Sequence, residues 1–186
     1  MNVKSTQHGA LWLIAASLLC AAGASGADGG KAKNEVYRAS VVPNSARGAV
    51  EFVVDTSPII FYVGTVNRKY HVLLIRAVNR SDVALQLSKE QDSIELEYPQ
   101  VGKINGLLDL SVTDPATWDA LDAEIRTAVA YPSVVSAGEE EGIYVFVPVD
   151  AVTAPRKRHE MPAVIHYRIK SLGQPVELRK PGVAAA

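Results

Sequence analysis

The chain has 186 residues, with 19 lysine and arginine side chains against 20 aspartate and glutamate side chains, and a formal net charge of −1 at pH 7. A charge so close to zero excludes the long-range positive field with which proteins attract nucleic acid or an anionic membrane surface. The length suits one ordinary domain with a buried core.

The first 27 residues have the order of segments found in a secretory signal peptide. One charged residue, Lys4, precedes an apolar run over 10–22, and small residues follow. This run is shorter than the roughly 20 residues that a membrane-spanning helix needs, so we expect a cleaved leader and no transmembrane span. Cleavage after Ala24 and cleavage after Ala27 both satisfy the small-residue rule. We therefore expect an exported protein, either periplasmic or secreted, in which loss of Lys4 leaves a net charge of about −2.

Cys20 is the single cysteine and lies inside this leader. Its removal would leave the mature chain without a thiol, a disulfide or a thiolate ligand, which excludes cysteine chemistry. The alternative is bacterial lipoprotein processing, in which cleavage occurs just before a cysteine that is then acylated. Ser17 and Leu19, at the −3 and −1 positions, fit that pattern poorly, so we expect no lipid anchor at Cys20.

Short β-branched runs separated by Pro, Gly, Asn and Asp predict a single domain over 35–180, between a flexible segment at 28–34 and a tail at 181–186. The predicted strands are Val36–Val42, Ala49–Val54, Ile59–Val66, Tyr70–Asn79, Ala84–Leu87, Ser93–Tyr98, Ile143–Val149, Ala163–Lys170 and Val176–Arg179. Many short strands without alternating helices are typical of an antiparallel sandwich or barrel.

Two of these strands carry information about burial. In Ala163–Lys170 apolar residues alternate with His166, Arg168 and Lys170, which predicts one buried and one wet face. Ile143–Val149 is apolar on both faces, so we expect it to lie centrally in its sheet.

One helix is predicted, over about 114–129, as an insertion between strands. Asp114 can cap it and Pro115 suits its first turn. Its apolar stripe consists of Trp118, Leu121, Ile125 and Val129. A helix with one such stripe is expected to pack over an end or edge of the sheets.

The arrangement from Tyr70 onward resembles bacterial exported immunoglobulin-like domains of the telokin-like type. The resemblance rests on a hydrophobic strand ending in an Asn-containing turn (70–82), a short strand (84–87), a Gly-Glu turn leading into a strand (136–148) and a last apolar strand (163–170). It implies an all-β, antiparallel immunoglobulin-like β-sandwich, here with one inserted helix. It also implies binding, spacing or stabilising of partners and no reaction.

The candidate binding residues are basic or imidazole side chains near the last long strand: Arg156, Lys157, Arg158, His159, His166 and Arg168. The first four form a run that could contact an anionic group. The last two share the wet face of the strand that follows.

An alternative from another class is a small exported copper carrier that uses His159, Met161 and His166. Imidazole and thioether groups suit copper without a thiol. Against it, the basic residues beside His159 oppose a bound cation.

Catalytic signatures are not apparent in the sequence. It contains no Gly-x-Ser-x-Gly nucleophile context and no glycine-rich phosphate loop. We therefore expect a non-enzymatic exported binding or accessory module, without a cofactor, that presents a sheet surface to an unidentified envelope or secreted protein. We do not expect nucleic acid as a partner. An exported hydrolase is a third alternative.

Overall fold

The computed structural model describes residues 36–55, 64–152 and 161–182, which belong to one compact unit, Lys33–Ala186. The predicted signal peptide with Ala24, Ala27 and Cys20, the segment 28–34 and the basic run 156–159 lie outside the described residues. Among the described residues, no helix is long and apolar enough to cross a membrane.

The strands, in chain order, are β1 (Val36–Val41), β2 (Val50–Asp55), β3 (Tyr70–Asn79), β4 (Leu85–Gln86), β5 (Ser93–Tyr98), β6 (Gly102–Gly106), β7 (Val134–Val135), β8 (Glu140–Pro148), β9 (Val164–Arg168) and β10 (Pro175–Arg179). The helices are α1 (Gly64–Lys69), α2 (Leu110–Thr113), α3 (Pro115–Asp119), α4 (Ala123–Val129) and α5 (Val149–Val152), and a 3-10 turn spans Lys170–Leu172.

Eight of the described strands form two antiparallel four-stranded sheets. The first has the order β1-β2-β3-β8 and the second the order β10-β9-β5-β6, while β4 pairs with β7 separately. The β3–β8 ladder runs from Tyr70 opposite Pro148 to Val78 opposite Glu140. The chain is therefore mostly β with antiparallel pairing, which confirms the class that the strand pattern predicts.

The two sheets share one hydrophobic core. Leu73, Ile75 and Ala77 contribute to it from β3, and alternate residues of β5 and β9 contribute from the second sheet. Phe52 of β2 meets Tyr167 of β9 edge to face, with ring centroids 5.9 Å apart. The alternation predicted for the last long strand is confirmed, because its apolar residues are buried and Arg168 is exposed.

A second apolar cluster, which we call the outer cluster, lies on the other face of the first sheet. Val72 of β3 and Phe146 of β8 belong to it, and Leu110, Leu121 and Val129 from the segment 110–129 cover them. Full burial of one such side chain stabilises a fold by roughly 1.5–3 kcal/mol. We call α1 to α4 the helical layer, and this burial makes it an integral part of the domain.

The prediction of one continuous helix over 114–129 is wrong. The chain forms two helices here, α3 and α4, because the extended backbone of Asp122 (φ −63°, ψ 152°) interrupts the helical conformation between them. The break allows Leu121 to turn into the outer cluster, where it is buried. The layer covers part of the outer face of the first sheet, over Tyr70 and Val72 of β3 and over Phe146 of the edge strand β8.

The prediction that Ile143–Val149 is a central strand is also wrong. β8 ends the order of the first sheet, and among the described residues only a bridge from Leu107 to Phe146 continues beyond it. The face of β8 that points away from the core between the sheets is apolar, and the helical layer covers it.

Two further differences concern local propensity. Residues 59–63 of the predicted strand Ile59–Val66 lie outside the described residues, and Val66 is helical in α1 with its side chain in the outer cluster.

β6 was not predicted, because its two glycines weaken a strand pattern. Gly106 is needed there, since an added Cβ would come within 2.7 Å of Val145 Cγ1.

Asn79, the last residue of β3, is a fully buried polar side chain whose hydrogen-bonding groups are all used. Its Nδ2 donates to the carbonyls of Val83 and Val135 at 2.8 and 2.9 Å. Its Oδ1 accepts from the backbone N–H and the hydroxyl of Ser81 at 3.0 and 2.7 Å. Its own backbone N–H donates to the carbonyl of Glu139 at 2.9 Å. One residue therefore ties β3 to the next turn, to β7 and to the approach to β8.

Asn79→Ala is expected to lower the free energy of unfolding by about 2–4 kcal/mol, because several buried groups lose their partners. Urea denaturation measures this loss. Asn105→Ala, at an exposed position of β6, is the matched control and should stay within about 0.5 kcal/mol of the wild type. A loss at Asn79 no larger than that of the control would contradict this role.

Asp114 joins the helical layer to the first sheet. Its Oδ2 accepts hydrogen bonds from Thr117 Oγ1 at 2.6 Å, from Lys69 Nζ at 2.9 Å and from Tyr70 OH at 2.8 Å. These bonds, that of Thr117 first, hold the pKa of Asp114 well below its usual range. Burial, reinforced by this carboxylate, raises the pKa of Tyr70 to about 12.

The lowered pKa of Asp114 makes part of the stability dependent on pH. Since its pKa is lower in the folded than in the unfolded chain, the contribution is complete above the unfolded pKa of about 3.9 and is lost as the pH falls further. Asp114→Asn should therefore lower the free energy of unfolding by about 1 kcal/mol at neutral pH, and by less in acid. Asp119→Asn, at an exposed position of the same helix, is the control in urea denaturation and should stay within about 0.5 kcal/mol of the wild type at neutral pH. A penalty for Asp114→Asn that stays constant down to about pH 2 would contradict the proposed linkage.

Candidate functional site

The outer face of the second sheet is mostly polar and at least partly exposed, with Val164 as a buried apolar exception. Its side chains alternate with the buried residues of β5, β6, β9 and β10. We call it the charged sheet face, and its members are Glu95, Glu97, Lys103, Asn105, His166, Arg168, Glu177 and Arg179. It contrasts with the part of the first sheet's outer face around Val72 and Phe146, which the helical layer covers, whereas Arg38, Ser40 and Arg76 of that face are exposed.

His166 lies in the middle of the charged sheet face. In the strand register it is opposite Glu95 of β5 and Glu177 of β10. Its Nε2 is 3.5 Å from Glu97 Oε2, and its Nδ1 is 3.6 Å from Glu177 Oε1. Both distances exceed the range of about 2.7–3.2 Å for a good N–H···O hydrogen bond. The imidazole is therefore close to two carboxylates without being tightly bound by either.

The remaining charges of this face form short pairs or none. Lys103 Nζ lies 2.8 Å from Glu95 Oε1, and this hydrogen bond lowers the pKa of Glu95 and raises the pKa of Lys103. Arg179 Nη2 lies 2.6 Å from Glu177 Oε2. Arg168 makes no ion pair with another residue in the described part of the chain. Its charge acts on Glu95 through space and contributes to the lowered pKa of that carboxyl.

The structure brings together two of the residues that the sequence singles out for binding. His166 and Arg168 lie two positions apart on the outer side of β9. Arg156, Lys157, Arg158 and His159 lie outside the described residues, so their role in binding stays a prediction. Glu97 and Glu177 were missed, although their alternation with buried residues in β5 and β10 is visible in the sequence.

The copper-carrier alternative also involves Met161, which the structure describes. Met161 packs against the core between the sheets, whereas His166 lies beside carboxylates on the charged sheet face. These two side chains thus have different surroundings, and His159 lies outside the described residues. Within the described ranges, no group of three or more His, Cys, Asp or Glu side chains is arranged to hold a metal ion.

The chemistry that this face can perform is set by its shape as well as by its groups. An imidazole beside carboxylates can accept or release a proton. Catalysis by such a group also needs a concave site that holds the substrate and excludes water. Alternating charges on an open face are suited to recognition by complementary charge.

The charges around His166 are expected to contribute little to folding. A double-mutant cycle with His166→Gln and Glu97→Gln should give a coupling energy below about 0.5 kcal/mol in urea denaturation, because a 3.5 Å contact between partly exposed polar groups is weak. The buried pair Asn79 and Ser81, both changed to Ala, should give a coupling above about 1 kcal/mol and serves as the positive control. A coupling of about 2 kcal/mol or more for the first pair would assign this cluster a structural role.

No protein-family model, no curated protein and no solved structure matches this chain. We therefore argue its function from the fold and from the side-chain geometry of the charged sheet face.

Proposed function

We propose that this protein is an exported, non-enzymatic binding module whose charged sheet face docks onto an envelope or secreted protein. The proposal combines the signal peptide predicted over 1–27 with an immunoglobulin-like β-sandwich. It assigns binding to His166 and Arg168, together with the basic run Arg156–His159.

The order of strands supports the immunoglobulin-like part of this proposal. β2, β3 and β8 are neighbours in the order of strands A, B and E of an immunoglobulin domain, and β5, β9 and β10 follow the order of C, F and G. β6 adjoins β5 as an additional strand adjoins C in variable-type domains. The helices α2 to α4 occur in the chain between β6 and β8, where constant-type domains have strand D.

The observation that carries the proposed binding role is the difference between the two outer faces. In the first sheet, the helical layer buries the part of the outer face around Val72 and Phe146, and the exposed remainder includes Arg38 and Arg76. The outer face of the second sheet displays charges of both signs, including Arg168, in an arrangement fixed by the strand register. Fixed charges of both signs can align with a complementary set in only one register, and they penalise a partner that presents like charges.

Site-specific photocrosslinking in cells tests the proposed docking face. A photoreactive phenylalanine analogue at Asn105 or Arg168, on the charged sheet face, should give one discrete adduct with a single protein. The same analogue at Glu124 or Ala128, exposed on α4, should give none and controls for collisional labelling. Mass spectrometry then identifies the partner.

Charge reversal checks that the adduct reports specific docking. Arg168→Glu should reduce the Asn105 adduct about tenfold, because it introduces a like-charge contact into a complementary interface. Arg126→Glu, on α4, is the matched charge-reversal control and should leave the adduct unchanged. Equal adducts from both faces, or none from either, would overturn the proposal.

A further inference from the structure

A cleft lies away from the charged sheet face, between the chain that follows β4, the start of α2, α3 and the chain that precedes β7. Its volume is about 380 Å³. This lies near the lower end of the range of about 300–1,000 Å³ for small-molecule sites. The size suits a ligand of one or two rings and not a folded partner.

Two aromatic residues form part of its wall. Trp118 of α3 both packs against the outer cluster and lines the cleft. Tyr131 also lines it, and its hydroxyl is held by Asp92 Oδ2 at 2.7 Å and by Tyr167 OH at 2.6 Å. The wall is thereby preorganised, which reduces the entropy that a ligand must lose on binding.

The polar part of the wall contains both donors and acceptors. Lys89 Nζ lies 3.1 Å from Asp109 Oδ2, and Asp109 Oδ1 accepts the N–H of Ser111 at 2.8 Å as the cap of α2. Ser111 and Ser133 also line the cleft, and the Ser111 side chain hydrogen-bonds to Asp109, which leaves its hydroxyl oxygen able to accept a further bond. Counting Glu90, the formal charge of the lining is −1.

These features select one ligand chemistry. An anionic ligand would meet a negative lining whose lysine is already paired. A purely apolar ligand would strip water from the Lys89–Asp109 pair without replacing its hydrogen bonds. A small cation would be repelled by Lys89. A neutral sugar avoids all three of these costs, because its ring has an apolar C–H face for an aromatic wall and its hydroxyls both donate and accept.

We propose that the cleft beside Trp118 binds a pyranose residue of a neutral carbohydrate. The sugar ring packs on the indole, and its hydroxyls bond to Ser111, Ser133 and the Lys89–Asp109 pair. The cleft shares no residue with the charged sheet face, so this site stands or falls independently of the proposed docking partner.

Tryptophan fluorescence can report on this site directly. The chain has two tryptophans, Trp12 and Trp118, so Trp12→Phe in the full chain leaves one indole, at the cleft. Titration with methyl β-D-glucopyranoside and with N,N′-diacetylchitobiose should give a saturable change in emission for at least one of them, with a Kd of about 1 mM, as a small site with few hydrogen bonds would give.

Variants locate the binding. Ser111→Ala should raise that Kd about fivefold, as expected for the loss of one hydrogen bond, while Ser136→Ala, outside the cleft, should leave it unchanged. Trp118→Phe keeps an aromatic ring in the outer cluster, and calorimetry on this variant, with its fold checked by circular dichroism, should show at least fivefold weaker binding.

Three results would overturn the proposal. The first is a flat titration with both sugars. The second is saturation by tetramethylammonium or phosphate and by neither sugar, which would assign the cleft to an ion. The third is equal weakening by Ser111→Ala and Ser136→Ala, which would move sugar binding elsewhere on the protein.

Discussion

The ladder between β3 and β8 carries apolar side chains on both faces near its Tyr70–Pro148 end, and the layered arrangement of the domain follows from the need to keep them from water. One face presents Ile75 and Val145 to the core shared with the second sheet. The other presents Val72 and Phe146, which would be exposed in a protein of two sheets alone. The helical layer removes this exposure. The outer face of the second sheet carries mainly polar and charged side chains, with the buried Val164 as an exception, so it has no need of such a layer.

Apolar burial draws the helical layer to the sheet, but it does not determine where the layer lies, because hydrophobic contacts are not directional. Direction comes from Asp114, which caps α3 and binds Lys69 and Tyr70 at the junction of α1 and β3. The same carboxylate therefore begins a helix and fixes its position against the sheet. A short helix of five residues would not be stable by itself, so its formation depends on this attachment.

Sequence patterns were sufficient where a local period decided the structure, as in Tyr70–Asn79 and Ser93–Tyr98, whose ends coincide with β3 and β5. They failed where tertiary contacts override local preference. Gly106 weakens a strand pattern but is required by the close approach of Val145. The surroundings of His166 were not accessible either, because Glu97 is 69 positions away along the chain and alternation within one strand does not specify its neighbour. The export signal and the basic run at 156–159 stay predictions, since they lie outside the described residues.

The hydrogen bonds of Asn79 bear on the order in which the chain can fold. Its amide reaches Val83 four residues away but Val135 fifty-six residues away, so the local bond can form long before the distant one. If the first sheet closed around Asn79 before β7 arrived, a desolvated donor would lack a partner, and that state would be penalised. Compact intermediates that lack the segment from β7 to β8 are thereby disfavoured. The buried amide couples the two halves of the described chain into one cooperative transition.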